Sequence, residues 1–230
     1  MIFSRINFPI YGIIIILSVL IGMLYVYFSL KKENYTDKNI RLYFFLYITF
    51  SFVLGKLFTQ ITNPNTKNFF EAGLSAYGGL VGVLLAAYTF EKILPTDNKI
   101  IKYSIISLPL IYGLTKIACF IVGCCYGIPY NGIFSVTYTD GLNKPLFPIQ
   151  IVETIVFLVI FYICNKQRNN KNIIYITIVL VSIFKFLLDF LRYDHVTKII
   201  TVNQIFSIML LIGTIIVFLI NKNVVRGEKK

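Results

Sequence analysis

The strongest constraint in this sequence is a series of seven apolar stretches, near residues 8–30, 42–62, 74–94, 103–122, 149–165, 172–191 and 203–221, separated by short polar segments. Each approaches or exceeds the roughly 20 residues that carry an α-helix across about 30 Å of hydrocarbon. The fifth is short, so its ends are the least sharply marked. With 57% hydrophobic and only 14% charged residues, the chain falls outside the range of ordinary soluble domains. The prediction is an all-α polytopic membrane protein with seven transmembrane helices. Residues 8–30 are too long for the apolar core of a cleavable signal, and no small-residue cleavage site follows, so this stretch is read as the first span. No internal repeat, low-complexity tract or linker interrupts the chain, which predicts one integral membrane domain over residues 1–230.

The formal net charge of +12 raises the question of nucleic acid. The basic residues sit between apolar runs and form no single patch interleaved with aromatics, so a lipid-facing role is predicted and nucleic acid is not. Of the 22 Lys and Arg, five (Arg5, Lys67, Lys144, Arg192, Lys198) lie in one alternating set of connecting segments. Three (Lys56, Lys116, Lys185) lie inside spans, and the other fourteen lie in the opposite set. The excess marks the cytoplasmic side, placing the N-terminus outside and the C-terminus inside. The largest outer segment, 123–148, carries Gly-Ile-Pro, Asn-Gly, Asp-Gly and Lys-Pro punctuation and is predicted to fold as a small extracytoplasmic cap. Within it, Ile133 to Tyr138 alternates like a short strand. The segments around 63–72 and 192–201 read as short polar outer loops.

In this orientation Lys56, Lys116 and Lys185 fall in the outer halves of spans two, four and six, by the 1.5 Å rise per residue. Gln150, Glu153 and Gln204 open spans five and seven, Tyr77-Gly78-Gly79 opens span three, and Asp189 follows Lys185 by four residues. The polar groups of the spans thus collect in one layer near the outer face. A charge in hydrocarbon costs roughly 2.5 kcal/mol upward, so an isolated cation such as Lys116 needs a partner or a function. Glu153 is the candidate partner for Lys116 or Lys56.

Other constellations admit two readings. Lys185, Asp189 and Arg192 share one helical stripe by i, i+4, i+7 spacing. They form either part of a site or a self-neutralising ladder whose basic chains snorkel to the interface, a reading with at least equal weight for Arg192. Gly73, Gly78, Gly79 and Gly82 make a close-packing face, Gly82 above all. Gly78 and Gly79 equally open the backbone to a lipid head group. Cys119, Cys124 and Cys125 lack the fourth ligand of a tetrahedral zinc site. A Cys119–Cys124 disulfide is an alternative on an oxidising face, but small buried thiols are the leading reading, and no metal or cofactor is predicted. His195, next to Asp194, reads as a solvated loop histidine.

Taken in order, these segments resemble the prolipoprotein diacylglyceryl transferase family over most of the chain. Ile10-Tyr11-Gly12 is similar to the family's Trp/Tyr-Tyr-Gly element, and Leu54-Gly55-Lys56-Leu57 to its Gly-x-Arg-x-Gly segment. Gly73-Leu74-Ser75-Ala76-Tyr77-Gly78-Gly79-Leu80-Val81-Gly82 resembles Gly-Leu-Ser-Phe-His-Gly-Gly-Leu-Ile-Gly, with Tyr77 at the functional histidine. The stretch from Lys116 to Gly127 resembles the signature Gly-Arg-x-Gly-Asn-Phe-x-Asn-Gly-Glu-x-x-Gly. Lys116 falls on the lipid-binding arginine, Cys119 on the first asparagine and Cys124 on the glutamate, while Gly123 and Gly127 keep glycines. Phe147-Pro148-Ile149-Gln150-Ile151-Val152-Glu153 is similar to His-Pro-Ser-Gln-Leu-Tyr-Glu. Lys185 to Arg192 is similar to Arg-Phe-x-x-Glu-Phe-x-Arg, and Val202 to Ser207 to Gly-Gln-x-x-Ser.

The resemblance implies a multi-pass enzyme of a bacterial-type cell membrane. It would move diacylglyceryl from phosphatidylglycerol to the lipobox cysteine thiol of a secreted prolipoprotein and release glycerol phosphate. It also implies that Lys116 and Lys185 hold the phosphate with Lys56 behind them, and that Glu153 and Asp189 position these cations. Tyr11, Tyr77, Gln150 and Gln204 would supply hydrogen bonds, and Gly78, Gly79, Cys119, Cys124, Gly127 and Arg192 would complete the substrate surface. Lysine at three arginine positions keeps a point charge but loses the bidentate fork. Together with Tyr77, Cys119 and Cys124, these replacements describe a divergent member with an altered donor or acceptor, or else a lipid- or lipoprotein-binding protein of the same fold.

Overall fold

The computed structural model describes residues 2–3, 8–62, 74–95, 98–138 and 142–227. The predicted outer loop at 63–72, with Gly73, lies outside these residues. Seven α-helices occupy the predicted apolar stretches: α1 (Phe8–Lys32), α2 (Asp37–Thr62), α3 (Ala76–Ile93), α4 (Lys99–Val122), α5 (Ile149–Lys166), α6 (Ile173–Asp189) and α7 (Val202–Gly227). Five of them, α1, α2, α4, α5 and α7, are long and apolar enough to cross a membrane. Large aliphatic side chains stand exposed along α1 (Ile13, Ile16, Leu20, Leu24) and α7 (Met209, Ile212, Ile216, Ile220). A helix surface this continuously apolar suits hydrocarbon as its solvent.

The chain gathers into two compact units, Met1–Val19 with Pro109–Lys230, and Leu20–Leu108. In α4 the division falls at Pro109, which has no N–H to continue the helical ladder.

In the unit Leu20–Leu108, α2 packs on α3 through glycines. A Cβ at Gly82 would lie 2.5 Å from Ser51 Cα, and one at Gly78 would lie 2.8 Å from Gly55 Cα and collide with the Leu54 carbonyl. Gly79, one residue on, meets nothing within 4 Å. The packing role predicted for Gly82 holds, and Gly78 shares it. Gly78→Ala is therefore expected to cost on the order of 1–3 kcal/mol by overpacking. Gly79→Ala is expected to be neutral or slightly stabilising through helix propensity. Thermal unfolding in detergent micelles distinguishes the two, and equal midpoints would contradict the packing assignment. Buried Tyr43 anchors the same unit, sharing a hydrogen bond with Ser104 and meeting Phe90 edge-on at 5.7 Å.

In the other unit α6 packs against both α5 and α7. In the segment 123–148, predicted to form a cap, the strand is shorter than expected. Among the described residues only Thr137–Tyr138 forms a strand, paired in parallel with Ile2–Phe3. Ile133 and Phe134 instead form an exposed turn closed by Ser135 N–H donating to Gly132 C=O at 3.0 Å. The Asn131-Gly132 turn chemistry outweighs the alternating pattern there. Val136, Tyr138 and Leu146 form the cap's core with Phe120, Tyr126 and Tyr193 around them. Ile128 N–H donates to Leu191 C=O and Tyr193 N–H to Tyr126 C=O, tying the cap to the end of α6.

Candidate active site

Glu153, in the second turn of α5, is the hub of a buried polar network and is only 1% exposed. Lys116 Nζ, from the last two turns of α4, lies 2.9 Å from Glu153 Oε2. One guanidinium nitrogen of Arg192 donates to both carboxylate oxygens at 3.2 and 3.3 Å. Tyr112 OH donates to Oε1 at 3.0 Å, and Lys185 Nζ donates to the Tyr112 hydroxyl at 2.6 Å. The Tyr112 ring also carries both ammonium groups, with Lys185 Nζ 4.3 Å and Lys116 Nζ 4.9 Å from its centroid. A carboxylate removed from water keeps its charge only when its lone pairs are this fully matched.

Asp189 organises the second half of the network. Arg192 Nε lies 3.7 Å from Oδ1, Asn203 Nδ2 donates to Oδ1 at 3.3 Å, and the Thr201 hydroxyl donates to Oδ2. Thr201 is also the N-cap of α7. Gln204 N–H donates to its hydroxyl, and Gln204 Oε1 accepts from Thr201 N–H, a reciprocal capping box. The capping box thus fixes Gln204 and aims the hydroxyl that holds Asp189.

Of the two readings of Arg192 the snorkelling one fails, and the solvated-loop reading of His195 is corrected. Arg192 is buried because its guanidinium reaches inward to Glu153 and Asp189. His195 lies in a short 3₁₀ turn, Tyr193–Val196, that brings Nε2 to 3.5 Å from Asp189 Oδ2, with its ring on Phe190. Gln150 is also buried, and Nε2 donates to the Cys124 carbonyl at 2.7 Å. Gln150 Oε1 and Gln204 Nε2 are buried without a hydrogen-bond partner among the described residues, leaving one acceptor and one donor for a ligand.

The three neighbouring cysteines are free thiols, with their Sγ atoms all within 4.8 Å of one another. Cys119 is buried, Cys124 half-buried and Cys125 exposed, so the buried-thiol reading fails for Cys125, which the chain turns outward beyond α4. Hydrogen bonds from Cys119 and Cys124, with the charges of Lys116 and Arg192, hold the Cys125 thiol well below the usual range. Tyr11, on α1, stands beside the same thiols and Lys116. Gly127 is fixed by close approach to the Phe147 backbone, where a Cβ has no room.

Lys116, Glu153, Lys185, Asp189, Arg192 and Gln204 are thus brought into one network. Lys56, Tyr77, Gly78 and Gly79 belong to the unit Leu20–Leu108, where the Lys56 ammonium lies 5.8 Å from the Phe52 ring centroid and Tyr77 meets Phe58. Sequence reasoning missed Tyr112, Thr201 and Asn203. For Tyr112 the i, i+4 spacing to Lys116 was a usable signal, because it places the ring under that cation.

A family model described as prolipoprotein diacylglyceryl transferase matches residues 1–220. The phosphatidylglycerol–prolipoprotein diacylglyceryl transferase of Clostridium tetani is 26% identical, with 92% of each chain covered. The proteins of the same name from Finegoldia magna and Buchnera aphidicola are 25% and 27% identical, covering 96% and 92% of this chain and 94% and 92% of their own lengths. A family match over residues 1–220, in a chain whose buried cations and carboxylates form one network, places this protein in the prolipoprotein diacylglyceryl transferase family.

Proposed function

We propose that this protein transfers the diacylglyceryl group of phosphatidylglycerol to the lipobox cysteine thiol of a secreted prolipoprotein. The observation that carries this reading is the charge of the buried network. Lys116, Lys185 and Arg192 bring three cations against the two carboxylates of Glu153 and Asp189. Cations gathered on buried carboxylates and held away from water suit an anionic ligand, and a phosphodiester head group meets that need. In the reaction the thiol sulfur bonds to the glyceryl carbon as the carbon–oxygen bond to phosphate breaks. The thiol proton passes to a base, and negative charge gathers on the departing glycerol phosphate. Lys116 and Lys185 stabilise that charge, and Glu153 and Asp189 hold the cations in place before it develops. Gln150 Oε1 and Gln204 Nε2 offer an acceptor and a donor to the head-group hydroxyls.

In this reading all seven helices cross the membrane of a bacterial-type cell, with the N-terminus outside and the C-terminus inside. At 1.5 Å per residue α3 and α6 are about 27 and 26 Å long, near the hydrocarbon thickness. The lysine and arginine distribution supports the orientation. Because no internal repeat, low-complexity tract or linker interrupts it, the chain is read as one integral membrane domain. A second reading, binding without transfer, draws on Tyr77, Cys119 and Cys124 standing where the family resemblance places histidine, asparagine and glutamate.

Expression in cells depleted of their own transferase separates the two. Transfer predicts lipid labelling of a model prolipoprotein, with glycerol phosphate released in equal amount. Confirmed membrane insertion without labelling would leave the binding reading.

A further inference from the structure

We propose that Cys119, Cys124 and Cys125 form a binding site for one soft, thiophilic d¹⁰ cation, zinc(II) or copper(I), held by three thiolates. The site does not depend on the transfer reaction and rests on how α4 ends. Gly123 N–H donates to Phe120 C=O at 3.3 Å and Cys124 N–H to Cys119 C=O at 3.0 Å, with Gly123 left-handed at φ 66°. This is a Schellman motif, which brings the residue after its glycine over the residue four before that glycine. Both of those contact positions, normally apolar, are cysteines here. Cys125 then adopts φ 56°, a left-handed conformation unusual for a side-chain-bearing residue, and its thiol joins the other two.

The spacing suits a metal. A zinc–sulfur bond of about 2.3 Å puts the thiolates of a tetrahedral or trigonal site about 3.8–4.0 Å apart. The three sulfurs already lie within 4.8 Å of one another, so side-chain rotations of about 1 Å or less close the site. The predicted absence of a metal rested on the missing fourth ligand of a tetrahedral site. Three thiolates complete a trigonal copper(I) site, and one added water completes a zinc site. A donor set of thiols without histidine or carboxylate selects soft ions. Exposed Cys125 gives the ion a way in, and buried Cys119 shields it afterwards. Binding forms sulfur–metal bonds and releases the thiol protons to solvent.

The test uses the full-length protein, reduced and stripped with chelator in detergent. Cadmium(II) titration is expected to develop a thiolate-to-metal ultraviolet band that saturates at one equivalent. Cys119→Ser, Cys124→Ser and Cys125→Ser should each weaken binding at least tenfold, and Cys164→Ser should leave it unchanged. Elemental analysis after parallel loading with zinc(II) and with copper(I) under a competing chelator identifies the preferred ion. In the wild-type protein, whose fold no substitution disturbs, bound cadmium should slow maleimide labelling of these three thiols and not of Cys164. Absence of a stoichiometric band, a band that survives the triple serine variant, or equal labelling with and without metal would overturn the proposal.

Discussion

Glu153→Ala is expected to destabilise the protein by on the order of 3–5 kcal/mol, the cost of removing one partner from a buried ion pair. The carboxylate receives hydrogen bonds or charge from Lys116, Arg192 and Tyr112, and Lys185 reaches it through the Tyr112 hydroxyl. Without it, three cations would face one another in a water-poor interior with only Asp189 to offset them. Lipid transfer should fall to background in the same variant, because the cations lose the anchor that directs them toward a phosphate. Adding Arg192→Met should restore part of the lost stability by removing one uncompensated charge, and should not restore transfer. Thermal unfolding in micelles, alone and as a double-mutant cycle, measures the coupling. An unchanged midpoint for Glu153→Ala would show that the network is not what holds these helices.

Lys116→Ala separates binding chemistry from structural support. Glu153 keeps Arg192 and Tyr112 in this variant, so the stability loss should be smaller than for Glu153→Ala. Transfer should nevertheless drop about 10²- to 10³-fold, the range for losing one group aimed at developing negative charge. Lys116→Arg restores a cation with a fork that fits phosphate and should recover most of the rate. The rates are read from lipid labelling in membranes at several phosphatidylglycerol contents. Full-rate transfer by Lys116→Ala would end the assignment of this lysine to the head group.

Helix placement was legible because it depends on local properties. The length of each apolar run and the Gly and Pro punctuation between runs located all seven helices, with the start of α2 and the end of α7 lying beyond the predicted bounds. That Lys116, Glu153, Lys185, Asp189 and Gln204 lie near the ends of their helices was legible for the same reason. The snorkelling alternative for Arg192 and the solvated reading of His195 failed because they are sound expectations only for a helix end considered alone. The inward course of both side chains depends on the turn after α6 and on the capping box of α7, where Thr201 serves both the helix and Asp189. Counting ligands alone gives no weight to the helix terminus, on which the proposed cysteine site rests. The Gly123 signal for a Schellman ending was present in the sequence, along with the two cysteines at its contact positions.

By itself, the sequence determined a helical chain suited to hydrocarbon, the order of its helices, its family motifs and the identity of its buried charges. Each of these follows from composition and spacing over one or two helical turns. Only the tertiary structure decided which charges meet: Lys116 with Glu153 from another helix, Arg192 with the same carboxylate 39 residues away, and Lys185 with Tyr112 across 73 residues. It likewise decided that Gly78 faces a neighbouring helix while Gly79 faces open space. The physical reason is that a charge or a missing Cβ in one helix constrains only its own face. The energy of pairing depends on which other face packing brings within 3 or 4 Å of it.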